Sequence, residues 1–238
     1  MFGSGFNGGF GNGFGGFGGG YGRRRGRYRG GAWGEMPQFR GRDDIDPRSI
    51  AVMAQSNNWA IYDALPRMAD GSAIDISGGP FAPGQWVPYP PIVAGIAGRW
   101  SFLAFTVSAE TRGGNTQAYA VTLMTMPGPL PYVHIYPETW RASATSVTHE
   151  VNLEYGEFND RYAVFSKSPE TVYSVLSPRT MQQLLNLPPL DEIWTAGPNV
   201  CLARIDQHNI ETLDTHLRVL TCAAGDMPSS AWEPRADP

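Results

Sequence analysis

Several common features are scarce in this chain of 238 residues, and each scarcity excludes a class of protein. Only two cysteines are present, Cys201 and Cys222, and they do not form a Cys-x-x-Cys pair, which argues against a paired-cysteine zinc or redox site. We expect both thiols to be reduced, as in a cytoplasmic protein. The longest apolar run, residues 92–98, is far shorter than the ~20 residues of a spanning helix, so no transmembrane segment is expected.

Familiar catalytic signatures are also missing from the sequence. It contains no Gly-x-Ser-x-Gly, His-Glu-x-x-His or Walker sequence. The segment GFGGFG at 13–18 matches Gly-x-Gly-x-x-Gly, but its glycine-rich flanks cannot supply the strand and helix that a dinucleotide site needs. His208 and His216 are eight residues apart and are predicted on a solvated face of the last helix. We therefore predict neither a cofactor nor a metal site.

Charge is divided unevenly between an N-terminal arm and the rest of the chain. Residues 1–42 hold seven arginines and one acid, a net charge of +6, whereas residues 43–238 carry −10. Residues 1–31 contain fifteen glycines and no valine, isoleucine or leucine, so they cannot bury enough apolar surface to fold. The sequence thus predicts a disordered tail and linker over 1–42 and a single folded domain over 43–238.

The arm combines arginine, aromatic residues and glycine in the manner of RGG-type nucleic-acid binders. Arginine pairs with phosphate and stacks on bases, tyrosine stacks, and glycine lets the backbone follow a strand. This composition predicts weak, non-specific binding to RNA or single-stranded DNA. One alternative is self-association or docking to a protein partner through the regularly spaced phenylalanines. Another is that the arm is only a tether. The residues for nucleic acid or another polyanion are Tyr21, Arg23, Arg24, Arg25, Arg27, Tyr28 and Arg29, and those for self-association are Phe6, Phe10, Phe14 and Phe17.

Periodicity and turn residues behind the arm predict an α+β fold, with an antiparallel β-sheet and a few packing helices. A first helix should begin at Asp46-Pro47, and Ser177-Pro178 should begin another over 178–186. Glycines predict hairpins across Gly98-Arg99 and Gly197-Pro198. The prolines of 78–91 predict a connection rather than a central strand. The last predicted element is an amphipathic helix with Ile210, Leu213, Leu217 and Leu220 on its apolar face, ending near Gly225.

The segment VNLEYGEFNDRYAVFSKSPETVYSVLSPRTMQQLL, residues 151–185, resembles the signature of a bacterial domain family of unknown function, mainly actinobacterial. The resemblance extends over about residues 46–233 and includes NNWAIYDA, GRWSFLAF and AYAVTLMTMPGPLPYVHIYPE. It implies an aromatic-rich strand followed by a short helix and then the Ser177-Pro178 helix. Relatives in that family often carry an N-terminal membrane segment, whereas this chain carries the Gly/Phe/Arg arm.

Glu154, Glu157 and Asp160 lie within this signature and are the candidate acid–base residues of the domain. The preferred hypothesis is nevertheless a non-enzymatic interaction module with an adhesive basic arm, because no catalytic signature accompanies these carboxylates. One alternative is an enzyme of unfamiliar type that uses them. Another is a membrane-peripheral protein whose arginines meet anionic lipid.

Overall fold

The computed structural model of this chain describes residues 47–68, 71–81, 86–110, 116–138, 149–187 and 192–233. All of these residues lie within one compact unit, Met36–Pro238. The arm and its boundary at residue 42 lie outside the described residues, so the predicted disorder and domain division stay predictions.

The described residues form five α-helices and nine β-strands. In chain order they are α1 (Pro47–Ser56), β1 (Ala60–Tyr62), β2 (Trp86–Ala97), β3 (Trp100–Glu110), β4 (Thr116–Thr125), β5 (Val133–Pro137), β6 (His149–Glu150), α2 (Gly156–Arg161), β7 (Tyr162–Ser166), α3 (Pro169–Val175), α4 (Pro178–Leu185), β8 (Glu192–Ala196), β9 (Asn199–Ile205) and α5 (Ile210–Gly225). The α+β class, the antiparallel sheet and the C-terminal helix are confirmed.

All nine strands of the described residues join one antiparallel sheet in the order β1-β2-β3-β4-β9-β8-β5-β7-β6. The meander β1–β4 is local in sequence, but its next neighbour is β9, from the C-terminal hairpin. Thr122 of β4 lies opposite Leu202 of β9, and Ile135 of β5 lies opposite Ile193 of β8. The β8–β9 hairpin therefore joins the two halves of the sheet.

The sheet is buried on both faces near its centre. On one face, which we call the helical face, Phe102, Met124 and Leu202 pack beneath the helices. On the opposite face Trp194 and its neighbours lie beneath residues 71–81, a segment without regular secondary structure that contributes Ile74, Ile76 and Phe81. The Trp194 indole Nε1–H donates a hydrogen bond to the Ile76 carbonyl over 3.1 Å, which fixes the segment against the sheet.

Local capping signals in the sequence place most helix starts correctly. The hydroxyl of Ser177 accepts a hydrogen bond from the backbone N–H of Thr180 over 3.0 Å, and Pro178 occupies the first turn of α4. Ser168 and Asn209 cap α3 and α5 in the same way. The first helix begins at Pro47 as predicted, although its expected cap, Asp46, lies outside the described residues.

Two sequence predictions about strands are wrong. Residues 86–91 belong to β2 despite their prolines. The neighbouring strand β1 pairs with β2 only at residues 92–94. The proline-bearing half of β2 therefore pairs with β3 alone among the described strands, and an edge position tolerates residues without an N–H. The second error concerns residues 150–154 (EVNLE), which the sequence predicts as a strand. β6 ends at Glu150, one further backbone hydrogen bond joins the Val151 N–H to the Val164 carbonyl, and the chain then turns into α2.

Gly95 of β2 lies beneath the indole ring of Trp59, at the contact between the sheet and the segment that follows α1. A Cβ atom at position 95 would lie 2.2 Å from Cδ1 of Trp59, which real side chains do not allow. The same indole packs edge-on against Phe102, with ring centroids 4.9 Å apart. Glycine at position 95 therefore permits the close approach of this tryptophan.

We expect Gly95→Ala to lower the free energy of unfolding by about 1–3 kcal/mol, because the indole must move away from its packed position. Urea unfolding followed by circular dichroism measures the change. Gly156→Ala is the matched control, since no atom lies within 4 Å of a Cβ placed there. If the clash is the cause, adding Gly95→Ala to Trp59→Ala should cost little more than Trp59→Ala alone; full additivity of the two losses would contradict this explanation.

Candidate functional site

A concave surface lies between α4 and α5, with a volume of about 770 Å³. It is open to solvent and is lined by both apolar and polar side chains. We call it the α4–α5 groove. Its lining residues are Gln183, Asn186, Leu187, Leu217, Arg218, Thr221, Cys222, Gly225 and Asp226.

The groove exists because α4 and α5 pack against each other at their inner faces and diverge outside. Met181 and Leu184 of α4 and Leu220 of α5 are buried together in the core. Outside that contact α5 contributes Thr221 and Gly225 to the groove lining, and glycine has no side chain to fill the space. The resulting cleft is of a size that suits a bound ligand or peptide segment.

One side-chain hydrogen bond crosses the groove. The Cys222 thiol donates to Oε1 of Gln183 over 2.8 Å. Burial raises the pKa of the Cys222 thiol, Asp226 raises it further, and Arg179 opposes them. The thiol therefore stays protonated near neutral pH and acts as a donor rather than as a nucleophile.

Charges of both signs surround the groove. Nε of Arg179 lies 3.5 Å from Oδ2 of Asp226, and Arg218 lies 4.0 Å from Asp214 one helical turn earlier on α5. The groove can therefore offer hydrogen bonds, apolar contacts and charges of both signs. Its lining contains a single carboxylate and no histidine. The described residues contain no group of three or more metal-ligating side chains.

A second polar cluster lies on the sheet face opposite the helices. Nε2 of His134 lies 2.5 Å from Oε1 of Glu192, and Nδ1 of His134 lies 3.3 Å from the Tyr132 hydroxyl. That hydroxyl donates to the Gly78 carbonyl over 2.7 Å. Burial, with a further contribution from Glu192, raises the pKa of Tyr132 to about 12. The cluster therefore helps to tie residues 71–81 to the sheet, through a tyrosine that keeps its proton.

The structure does not enclose the three candidate acid–base residues. Glu154, Glu157 and Asp160 are all exposed, on or beside α2. Their neighbours in the signature make structural contacts instead. The Asn159 side chain donates to the Leu153 carbonyl over 2.7 Å and accepts from the Leu153 N–H over 3.2 Å. The acidic segment thus coincides with a local structural motif rather than with a pocket.

Arg161, also in the signature, caps the C-terminal end of α4. Its guanidinium donates to the carbonyl oxygens of Leu185 and Leu187 over 2.6 and 3.1 Å. Leu185 is the last residue of α4, and the carbonyls of a helix's last turn accept no hydrogen bond within the helix; Leu187 follows two residues beyond the helix end. The charge also suits the negative end of the helix dipole. Arg161 therefore holds the end of α4 that carries Asn186 and Leu187 of the groove.

The prediction that His208 and His216 lie on a solvated face is wrong. Only 5% of His208 and 2% of His216 is exposed, whereas 42% of Ile210 is exposed. The buried face of α5 is rotated relative to the predicted stripe. His216 follows Leu213 by three residues and precedes Leu220 by four, and this spacing was the signal that could have identified it as a buried residue.

The remaining predicted site residues belong to the arm, from Phe6 to Arg29, and lie outside the described residues. Sequence reasoning did not identify the α4–α5 groove, because glutamine, asparagine and threonine on helices carry no distinctive signal. Both cysteines are free thiols, with Cys201 buried in the sheet and Cys222 in the groove. No helix of the described residues is long and apolar enough to span a membrane.

Comparison with known proteins defines the fold but not a family. No family model and no curated protein matches this chain. The class is an antiparallel sheet with helices packed on one face. A solved structure with this fold is the mycobacterial trehalose monomycolate transport factor A, TtfA, with a TM-score of 0.54 and 12% sequence identity. The match covers 74% of this chain and 90% of that chain. At this identity the likeness concerns the fold alone.

We expect Arg161→Ala to lower the free energy of unfolding by about 1–3 kcal/mol, because two carbonyls lose a charged donor. Arg161→Lys should restore only part of the loss, since an ammonium lacks the planar fork that reaches two acceptors. Arg179→Ala is the control. Arg179 is largely exposed and pairs with Asp226 at the surface, so its removal should change the free energy by less than about 0.5 kcal/mol. Equal losses for Arg161→Ala and Arg179→Ala would contradict the capping role.

Proposed function

We propose that this protein is a non-enzymatic interaction module whose folded domain binds a protein segment in the α4–α5 groove. The groove itself is the observation that supports this function. Its lining combines two leucines, Leu187 and Leu217, with amides, a hydroxyl and charges of both signs. Such surfaces suit a peptide segment, which offers apolar side chains together with backbone donors and acceptors.

The fold comparison is compatible with a binding function. TtfA is described as a transport factor. We also infer that residues 46–233 belong to the bacterial domain family that the signature resembles. The order β7, α3, α4 in the structure supports this, because the resemblance implies a strand, a short helix and then a capped helix. The two free thiols support a cytoplasmic location.

The arm adds a second binding element to the proposed module. Its five clustered arginines, interleaved with tyrosines, supply at most about five phosphate contacts. We propose that they give weak, non-specific attachment to single-stranded nucleic acid. Self-association through the phenylalanines is the alternative, and a change of oligomeric state in place of binding would favour it.

Thr221→Arg tests the groove, because it places a long charged side chain inside the cleft without replacing a core residue. We expect the affinity for the partner to fall at least about tenfold, equivalent to ~1.4 kcal/mol. Partners captured by the full chain and identified by crosslinking mass spectrometry would be purified and titrated by calorimetry. Thr116→Arg is the matched control, since Thr116 is exposed at the start of β4. A partner that binds both variants as tightly as the original chain would contradict the groove assignment.

Fluorescence anisotropy with a generic single-stranded RNA tests the arm. For five phosphate contacts, the slope of log K against log salt concentration should be no steeper than about −3.5. Replacing all five arginines with glutamine should abolish binding. Replacing them with lysine should preserve the slope but weaken binding, because lysine keeps the charge and loses base stacking. Unchanged binding by the glutamine variant would contradict nucleic-acid attachment through the arm.

A further inference from the structure

Two histidines are buried next to each other between α5 and the helical face of the sheet. The rings of His208 and His216 are 5.4 Å apart and nearly perpendicular. Both face the hydroxyl of Thr122 on β4, which lies 3.0 Å from Nδ1 of His216 and 3.4 Å from Nε2 of His208. His208 immediately precedes Asn209, the N-cap of α5, and His216 lies on its second turn, so the pair sits where this helix meets the sheet.

The hydrogen bonds of the pair suit neutral rings. Nε2 of His208 lies 2.8 Å from the Val121 carbonyl oxygen, and because a carbonyl only accepts, this nitrogen carries the proton. Nδ1 of His208 and Nε2 of His216 are buried and have no hydrogen-bond partner in the part of the chain that the structure describes. An added proton on His208 would therefore occupy a buried nitrogen with no acceptor.

The surrounding charges do not compensate such a proton. The ring of His208 and the guanidinium of Arg204 on β9 both disfavour a positive charge on His216. Among the described residues, Tyr89 on β2 lies opposite Thr106, whose hydroxyl accepts a hydrogen bond from the His208 backbone N–H over 3.2 Å, and Asp206 precedes His208 by two residues. On α5 itself Glu211 and Asp214 are exposed. The described side chains of α1, from Ser49 onward, include no titratable group.

We propose that the His208–His216 pair is an acid-sensitive device that detaches α5 from the sheet and so remodels the α4–α5 groove. The consequence for the groove rests on the proposed function, whereas the detachment does not. Protonating the pair puts two positive charges into one buried contact. The pair can be hydrated only if the helix moves away from Thr122, because the sheet side of the contact is held by strand pairing.

The direction of the pH effect follows from the two states. Burial lowers the pKa of His208 to about 4, and burial together with His208 and Arg204 also lowers that of His216. A detached, hydrated histidine has its ordinary pKa of about 6.5. The detached state therefore binds more protons between these values. Docking is fully stable above pH ~6.5 and weakens as the pH falls toward 4. From pH 7 to pH 5, His208 alone should increase the detached fraction about twentyfold.

Hydrogen exchange of the full chain, read by mass spectrometry at pH 7 and pH 5 and corrected for intrinsic rates, tests this proposal. Peptides from α5 should lose about twentyfold or more in protection, while peptides from β3 and β4 keep theirs. The double variant His208→Gln, His216→Gln should show no such change, because glutamine does not ionise in this range. His216→Gln alone, which should reduce the change, serves if the double variant does not fold. His149→Gln is the control, since His149 is exposed on β6 and should behave like the original chain.

Three results would overturn the proposal. They are constant α5 protection between pH 7 and pH 5, an equal loss of protection in the sheet and in α5, and a pH response in a folded glutamine variant as large as that of the original chain. The measurement uses no partner, so it is independent of groove binding. If detachment fails while Thr221→Arg weakens a partner at neutral pH, the proposed function stands without this device. If detachment occurs and no partner uses the groove, the device stands alone.

Discussion

The fold depends on burying the centre of the sheet from both sides. Neighbouring residues of a strand point to opposite faces, so a strand that is apolar throughout requires a cover on each. Leu123 and Met124 on β4 and Cys201 and Leu202 on β9 are all buried. The helices cover one face and residues 71–81 the other. Because that segment has no ladder of its own, it is held by hydrogen bonds to its carbonyls from Trp194 and Tyr132.

The signature segment acts mainly through packing rather than chemistry. Phe158 fills the core, Asn159 pairs with the Leu153 backbone, and Arg161 caps α4. Asn159 and Arg161 are therefore hydrogen-bonded within the domain, while Glu154, Glu157 and Asp160 are exposed to solvent. These contacts hold α2, β7 and α4 together. Since α4 is one wall of the groove, the segment fixes the position of that wall.

Local chemistry explains which features could be predicted from the sequence. Pro47, Ser177, Gly98 and Gly197 act on their own turn of backbone, and the elements they begin or connect are found at the predicted positions. The strand role of residues 86–91 depended on where β1 stops, which no local pattern encodes. The groove depends on the pairing of α4 with α5, and the burial of His216 depends on how far α5 is rotated. Both features depend on tertiary packing, and the polar residues involved do not form a periodic pattern in the sequence.

Helix α5 combines three roles that conflict energetically. It covers the sheet with Leu213, Val219 and Leu220, and it forms a wall of the groove. It also packs a histidine pair with unsatisfied ring nitrogens against the strands, where apolar residues would avoid the desolvation cost. The strands beneath α5 are joined by continuous backbone hydrogen bonding, β3 to β4 and β4 to β9, so their pairing does not depend on the histidine contact. Because the unsatisfied polar atoms lie at the helix–sheet contact, loosening that contact can change the groove while the sheet stays paired.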